Sequence, residues 1–315
     1  MPMLMSMPGV FRFNLGWMAT MRRGPTALLG PMALLAVPLL MAMLAPPMFG
    51  LGGAARGAED ADALARRLIA AEEKGLAIPV LSLEVDDLDM DLAYRIQKAY
   101  VARRLEGREQ IAGYKAGLTG ILGRLWFGSV DPLLGVMFRS GRRRSGAEIT
   151  LAAYRRLIME TEIFMVVGKR IRAPVADVAA LRPLIRGAVA AIEMPETGFS
   201  KSGRATAEDL VAANSAAAIH VIGRERPVGD LDLARVTVTM RADGEVLSEG
   251  DGSEALGGDP WKGALWLVNA ALEHGMPVEP GQLLSTGLIG DRVRTRPGTY
   301  IVDYGPLGEL TVILK

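Results

Sequence analysis

No cysteine occurs among the 315 residues. Disulfides, thiolate nucleophiles and Cys-ligated zinc are therefore excluded. Histidine is nearly absent too, with only His220 and His274, so a multi-histidine metal centre has no material. Lys+Arg number 36 and Asp+Glu 35, a net of +1. Without a basic excess the chain has no general attraction for nucleic acid. Apolar material is plentiful: half of the residues are hydrophobic, enough for a sizeable core and too much for a disordered chain.

One further absence is hidden by the averages. Residues 1–58 contain no acid, and their only charges are Arg12, Arg22, Arg23 and Arg56. Ten of the 17 methionines lie before residue 50. Subtracting the four arginines leaves 32 basic against 35 acidic groups over 59–315, a net of −3. Met21-Arg22-Arg23 precedes an apolar run over 27–45, then Pro46-Pro47 and the small-residue tract Gly50-Leu51-Gly52-Gly53-Ala54-Ala55. A positive start, an apolar middle and a small-residue exit are the parts of a secretory signal. A cut after Ala55 would put Gly53 at the third position before it. The expectation is an export segment over 1–58, a periplasmic or secreted protein, and one folded domain over 59–315. A retained membrane anchor is the alternative, since the apolar run is close to a span in length. A true start at Met21 is a third reading, and it would make residues 1–20 irrelevant.

Beyond the leader, residues 61–73 read as a helix with Asp60 as cap. A second helix is predicted over 92–106, with Tyr94, Ile96, Ala99, Tyr100 and Leu105 on its apolar face and Gly107 at its end. Strands are predicted over 160–167, 188–193, 219–222, 236–241, 282–286, 300–302 and 307–314, with helices over 175–184 and 261–274. The layout is a short helical cap followed by a β-rich domain with long functional loops.

The segment Glu160-Thr161-Glu162-Ile163-Phe164-Met165 carries the chemistry. Residues two apart on a strand share a face, so Glu160 and Glu162 lie side by side. The strand then runs into wholly apolar sequence, where like charges repel and lose solvation. For an isolated pair of this kind a solvated sheet edge is the better account. Glu193, however, ends the apolar run 188–192 and adds a third carboxylate. Three carboxylates without His or Cys suit a hard cation, Mg²⁺ or Mn²⁺, rather than Zn²⁺.

Other segments accompany these carboxylates. Ala93-Tyr94-Arg95-Ile96-Gln97 precedes Gly113-Tyr114-Lys115-Ala116-Gly117-Leu118-Thr119, then come Glu160-Thr161-Glu162-Ile163 and Ala191-Ile192-Glu193. Asn214, Gly223, Gly252-Ser253, Leu256-Gly257, Trp266-Leu267 and Thr286-Gly287 follow in order. Over about residues 60–315 the chain resembles the fumarylacetoacetate hydrolase superfamily, in its 2-keto-4-pentenoate hydratase and 4-oxalocrotonate decarboxylase branch. The resemblance implies an α+β fold, a mixed β-sandwich roll with a short helical N-terminal cap, in a homo-oligomer. It implies a hydro-lyase acting on a small 2-oxo or 2-hydroxy-dienoate, with Mg²⁺ or Mn²⁺ held by Glu160, Glu162 and Glu193. The cation would chelate the substrate carboxylate and 2-oxygen and make the carbonyl an electron sink. Lys115 would handle protons and stabilise charge, its pKa lowered beside the metal. Gly113 and Gly117 would let the backbone approach a ligand. Thr286 would act in catalysis and bind the substrate carboxylate. Alternatives are hydrolysis or decarboxylation at a carbon–carbon bond, and a non-catalytic periplasmic binder of 2-oxo acids or metal.

Departures from the family pattern fall at pocket positions. Leu133 stands where the branch has Asp, Ala213 replaces the Asp before Asn214, and Ala216 replaces a Ser. Gly257-Gly258-Asp259-Pro260 replaces a Gly-His-Pro. Leu133, Asn214 and Ala216 are the expected substrate contacts beside Thr286. A pocket made more apolar would accept a substrate lacking a distal charge, or water activation would be lost altogether. His220, inside the apolar run 219–222, is expected to be structural. His274, at a helix end, is expected to favour the helix dipole. Export is unusual for this chemistry, which the resemblance places in the cytoplasm.

Overall fold

The computed structural model describes residues 52–315 except Asp230, without the side chains of 52–60 and Ser202. The apolar run of the expected leader lies outside the described residues. From Gly52 the chain is helical: α1 spans Gly52–Glu73, so Asp60 lies inside a helix rather than capping one. Ala61, Leu64, Ala65 and Leu68 of α1 are buried on one face. Helix α2 (Met90–Glu106) packs on α1. Asp89 caps it by accepting the Leu92 N–H at 2.7 Å, and Gly107 ends it. Its buried face is Ala93, Ile96, Gln97, Tyr100 and Val101, while Leu105 is left exposed.

Strand β1 (Ile111–Gly117) leads through α3 (Ile121–Phe127) to β2 (Leu133–Phe138). Next come β3 (Arg142–Arg144), β4 (Ala147–Ile149), β5 (Ile158–Val167), α4 (Val178–Leu181) and β6 (Ile185–Met194). The helix expected over 175–184 shrinks to α4 and a following 3-10 turn, because Pro183 cannot continue an α-helix. Then follow α5 (Ala207–Ala212), β7 (Ile219–Ile222), β8 (Thr237–Ala242) and β9 (Glu245–Asp251). After α6 (Pro260–Glu273) the chain closes with β10 (Leu283–Ser285), β11 (Ile289–Arg294), β12 (Gly298–Asp303) and β13 (Glu309–Leu314).

Two sheets form. The larger has the order β2-β1-β10-β5-β6-β7-β3, with β11 also pairing with β5; the smaller has the order β4-β13-β12-β8-β9. Both are mixed: β1 runs parallel to β10, β3 parallel to β7 and β13 parallel to β4, against antiparallel neighbours elsewhere. One face of the large sheet, with Ile163, Met165, Ala190 and Ile192, shares a core with Val302, Leu310 and Val312 of the small sheet. Helix α6 covers part of that face with Trp261, Ala264, Leu267 and Val268. The result is the mixed β-sandwich roll with a helical cap that the resemblance implied.

The opposite face of the large sheet positions the site. Glu160 pairs directly with Glu193 across β5 and β6, so both point the same way. Glu162, two residues on, shares that face. Beyond Glu162 the face turns apolar, with Phe164, Val166, Val189, Ala191 and Leu283 in a second buried cluster.

Candidate active site

Glu160, Glu162 and Glu193 converge: a carboxylate oxygen of each lies within 4.8 Å of the others. Glu162 and Glu193 are buried and Glu160 is half-buried. Glu162 is anchored through one oxygen. Its Oε2 accepts from Ser285 Oγ at 2.5 Å and from the Gly287 N–H at 2.9 Å. Its Oε1 is buried with no partner among the described residues. Burial, then the Glu193 charge, pushes the Glu162 carboxyl up to about 8.

Lys115 projects from β1 onto the same cluster. Its Nζ donates to Glu193 Oε2 at 2.7 Å, and both side chains are buried. Burial alone would lower its pKa. The Glu193, Glu160 and Glu162 charges outweigh that and hold it above the ordinary lysine value. The lowered pKa expected of Lys115 does not follow from the protein groups alone. Burial pushes the Glu193 carboxyl up, against the pull of Lys115. Arg292 on β11 reaches Glu160 at 3.0 Å.

Lys115, Glu160 and Arg292 line a cavity of about 530 Å³, together with Gly117, Leu133 and Ala216. Leu133 and Ala216 therefore line the cavity. Two other expected contacts do not. Asn214 turns to the β2 backbone, accepting the Val136 N–H and donating to the Val136 carbonyl, each at 2.8 Å. Thr286 is buried and donates to the Ile163 carbonyl at 2.7 Å on the other side of the strand. The period of two sends Ser285 to the carboxylates and Thr286 away from them. Gly113 approaches backbone rather than a ligand: a Cβ there would lie 1.9 Å from the Leu283 carbonyl oxygen.

Sequence reasoning missed Ser285, Ser215, Arg292 and the Gly287 N–H. Ser215 was legible, as the residue between two that were named. It donates to the Leu134 carbonyl at 2.9 Å and lines the cavity. Asn214, Ser215 and Ala216 all have positive φ, at 56°, 50° and 55°, a rare run for residues with a Cβ. The bend fits only because residue 135 is glycine. A Cβ there would meet Lys115 Cγ and Ser215 Cβ, each at 2.8 Å.

Neither histidine lines the cavity or joins the carboxylate cluster, although His220 pairs with Glu193 across β6 and β7. His220 is buried, and burial with Arg142 and Arg143 pulls its pKa to about 3. His274 stacks on Tyr94 at 3.8 Å, and burial lowers its pKa as well. The lowered pKa works against a charge on the helix dipole, and the stacking on Tyr94 gives the ring a packing role.

The description "Fumarylacetoacetate (FAA) hydrolase C-terminal" matches residues 127–312. The 2-keto-4-pentenoate hydratase of Burkholderia vietnamiensis is 32% identical over 250 residues, 78% of this chain and 94% of that protein. The chain belongs to the fumarylacetoacetate hydrolase family. The 2-keto-4-pentenoate hydratase of Paraburkholderia phymatum is 31% identical over 252 residues, 79% of this chain and 95% of that one. With these hydratase relatives, the chain is an enzyme of the hydro-lyase class. The 4-oxalocrotonate decarboxylase of Pseudomonas putida G7, complexed with magnesium and adipate, shares the fold at a TM-score of 0.76 and 24% identity. The match covers 82% of this chain and 98% of that one. A divalent cation fits the family site as found here. The donor set is all carboxylate, and Glu162 Oε1 is a buried acceptor with no partner among the described residues.

Proposed function

We propose that the protein hydrates a 2-oxo or 2-hydroxy-dienoate of the 2-keto-4-pentenoate type, using Mg²⁺ or Mn²⁺ held by Glu160, Glu162 and Glu193. The observation that carries this is the three-carboxylate cluster joined by Lys115, with Lys115 and Glu160 lining the cavity. When bound, the cation supplies Lewis acidity toward the substrate carboxylate and 2-oxygen. The remaining work belongs to the chain. Ser285 and the Gly287 N–H fix Glu162, leaving its other oxygen free for the ion. Lys115 holds at Nζ the proton that the carbon chain receives, and its charge faces the negative charge building on the 2-oxygen as water adds at C4. Leu133 and Ala216 shape an apolar wall beside the conjugated chain. The working unit in this proposal is a homo-oligomer carrying a small-molecule site, exported by the leader.

Loss of the dienoate ultraviolet absorbance, with a 4-hydroxy-2-oxo acid as product, is the expected result for the metal-loaded protein. Release of carbon dioxide or of two smaller acids would instead assign carbon–carbon cleavage. No turnover of any dienoate by protein with bound metal would sink the hydratase reading.

A further inference from the structure

The near-neutral total of charge hides a local excess. Arg139, Arg142, Arg143 and Arg144 fall within six residues, with no acid among them. The last three form β3, an end strand of the large sheet. Arg142 and Arg144 line a second cavity there, of about 780 Å³, a size suited to a small molecule. It shares no lining residue with the carboxylate cavity. Val166, which also lines it, is four residues beyond Glu162 on β5. That is about 13 Å along the strand, with the buried Phe164 between them.

The sheet register builds this cavity. Arg144 lies directly opposite Ile222 across β3 and β7, so both point to one face, and Arg142 shares that face two residues earlier. Leu283, Val166, Val189 and Ile222 come from the adjacent strands β10, β5, β6 and β7 and make an apolar floor. Arg224 and Arg226 stand on the rim just after β7. Arg186 is neutralised by Glu225 through paired hydrogen bonds at 2.8 and 2.9 Å. Among the described residues, no carboxylate pairs with Arg142, Arg144, Arg224 or Arg226, and none of these guanidinium groups makes a hydrogen bond. Four such cations less the rim carboxylate of Glu309 leave an excess of three positive charges. Arg142 is the most exacting of them. Its Nε is buried with no partner among the described residues, and burial with the Arg139 and Arg144 charges lowers its pKa. A half-buried cation beside like charges is unfavourable until an anion faces it.

We infer that this second cavity binds an organic phosphate, with the phosphate on Arg142 and Arg144 and the apolar body on the floor of Val166, Val189, Ile222 and Leu283. Arg142 and Arg144 stand one side-chain repeat apart, about 7 Å, close enough for both to hold one phosphate. An excess of three charges suits a dianion better than a single carboxylate. Phosphate presents oxygens on several sides, and guanidinium forks take them in charge-assisted pairs. The site is independent of the 2-oxo acid reading and stands or falls without it.

Calorimetric titration of the purified protein tests it with phenyl phosphate, inorganic phosphate and phenol. Chelator is present, so that no ion at the carboxylate cluster recruits phosphate. Phenyl phosphate should saturate one site per chain, at least ~10-fold more tightly than inorganic phosphate, because its ring is buried on the floor. Phenol should show no saturation. R142Q/R144Q should weaken phenyl phosphate at least ~10-fold. R224Q/R226Q changes only exposed residues and should weaken it too, which keeps the test open if the first variant fails to fold. No saturation by phenyl phosphate overturns the site, as does an affinity unchanged in the folded variants. Equal binding of phenyl phosphate and inorganic phosphate overturns the organic ligand. Sedimentation with phosphatidylglycerol vesicles, without saturation by phenyl phosphate, would assign the face to a membrane surface and overturn the small-molecule site.

Discussion

At the scale of single residues, the site is organised by unmet electrostatic demand. Glu162 combines burial with one unsatisfied oxygen, and its pKa rises from the ordinary 4.5 to about 8. Between those values the native state keeps a proton that the unfolded chain has lost. Stability of the metal-free protein should therefore fall as pH rises through that window. Saturating Mg²⁺ should flatten the fall, because the ion takes the place of the proton. Urea unfolding at pH 5 and pH 8.5, with chelator and with Mg²⁺, measures both. Glu162→Ala should abolish the Mg²⁺ dependence, read by calorimetric titration of the ion. For Lys115→Met, kcat should drop about 100- to 10 000-fold, the range for a lost proton-transfer group. Ion binding should persist there, since all three carboxylates remain.

At the scale of elements, β2 shows how secondary structure fixes the pocket. It is an end strand of the large sheet, so one edge of its backbone lacks a neighbouring strand. Side chains fill that edge: Tyr94 and Gln97 of α2 bind the Leu134 N–H and carbonyl, and Asn214 takes both groups of Val136. The Tyr94–Gln97 and Asn214 motifs thus hold β2 in place, and their effect on chemistry passes through Leu133 and Gly135. Gly135→Ala should overpack the contact with Lys115 and Ser215, costing about 1–3 kcal/mol in denaturant unfolding. It should lower kcat more than it raises KM, because Lys115 is displaced. Several elements were legible: β7 matches its predicted bounds, and β5, β6 and α6 lie within a few residues of theirs. By contrast β1, with its Gly and Ala, lacks the β-branched bulk that marks a strand, and its strand character comes from pairing with β2 and β10.

At the scale of the whole molecule, the described residues form one compact unit. No described helix is long and apolar enough to cross a membrane. If the leader is cleaved after Ala55, the buried face of α1 from Ala61 onward stays intact. Mass spectrometry of the chain from a periplasmic extract should then find Arg56 as its first residue. A full-length chain in the membrane fraction would favour the anchor instead.

The sequence by itself determined the kind of chemistry. Without cysteine and with two histidines, a metal site here had to be built from carboxylates, and the two-residue period of a strand set Glu160 and Glu162 on one face. The ordered motifs carried the family, and with it the fold. Only the tertiary structure decided which neighbours share that face. The pairing of β5 with β6 brought Glu193 to Glu160, and β10 presented Ser285 in place of Thr286. Periodicity is a local property of the chain, whereas strand register is fixed by contacts between residues tens to more than a hundred positions apart.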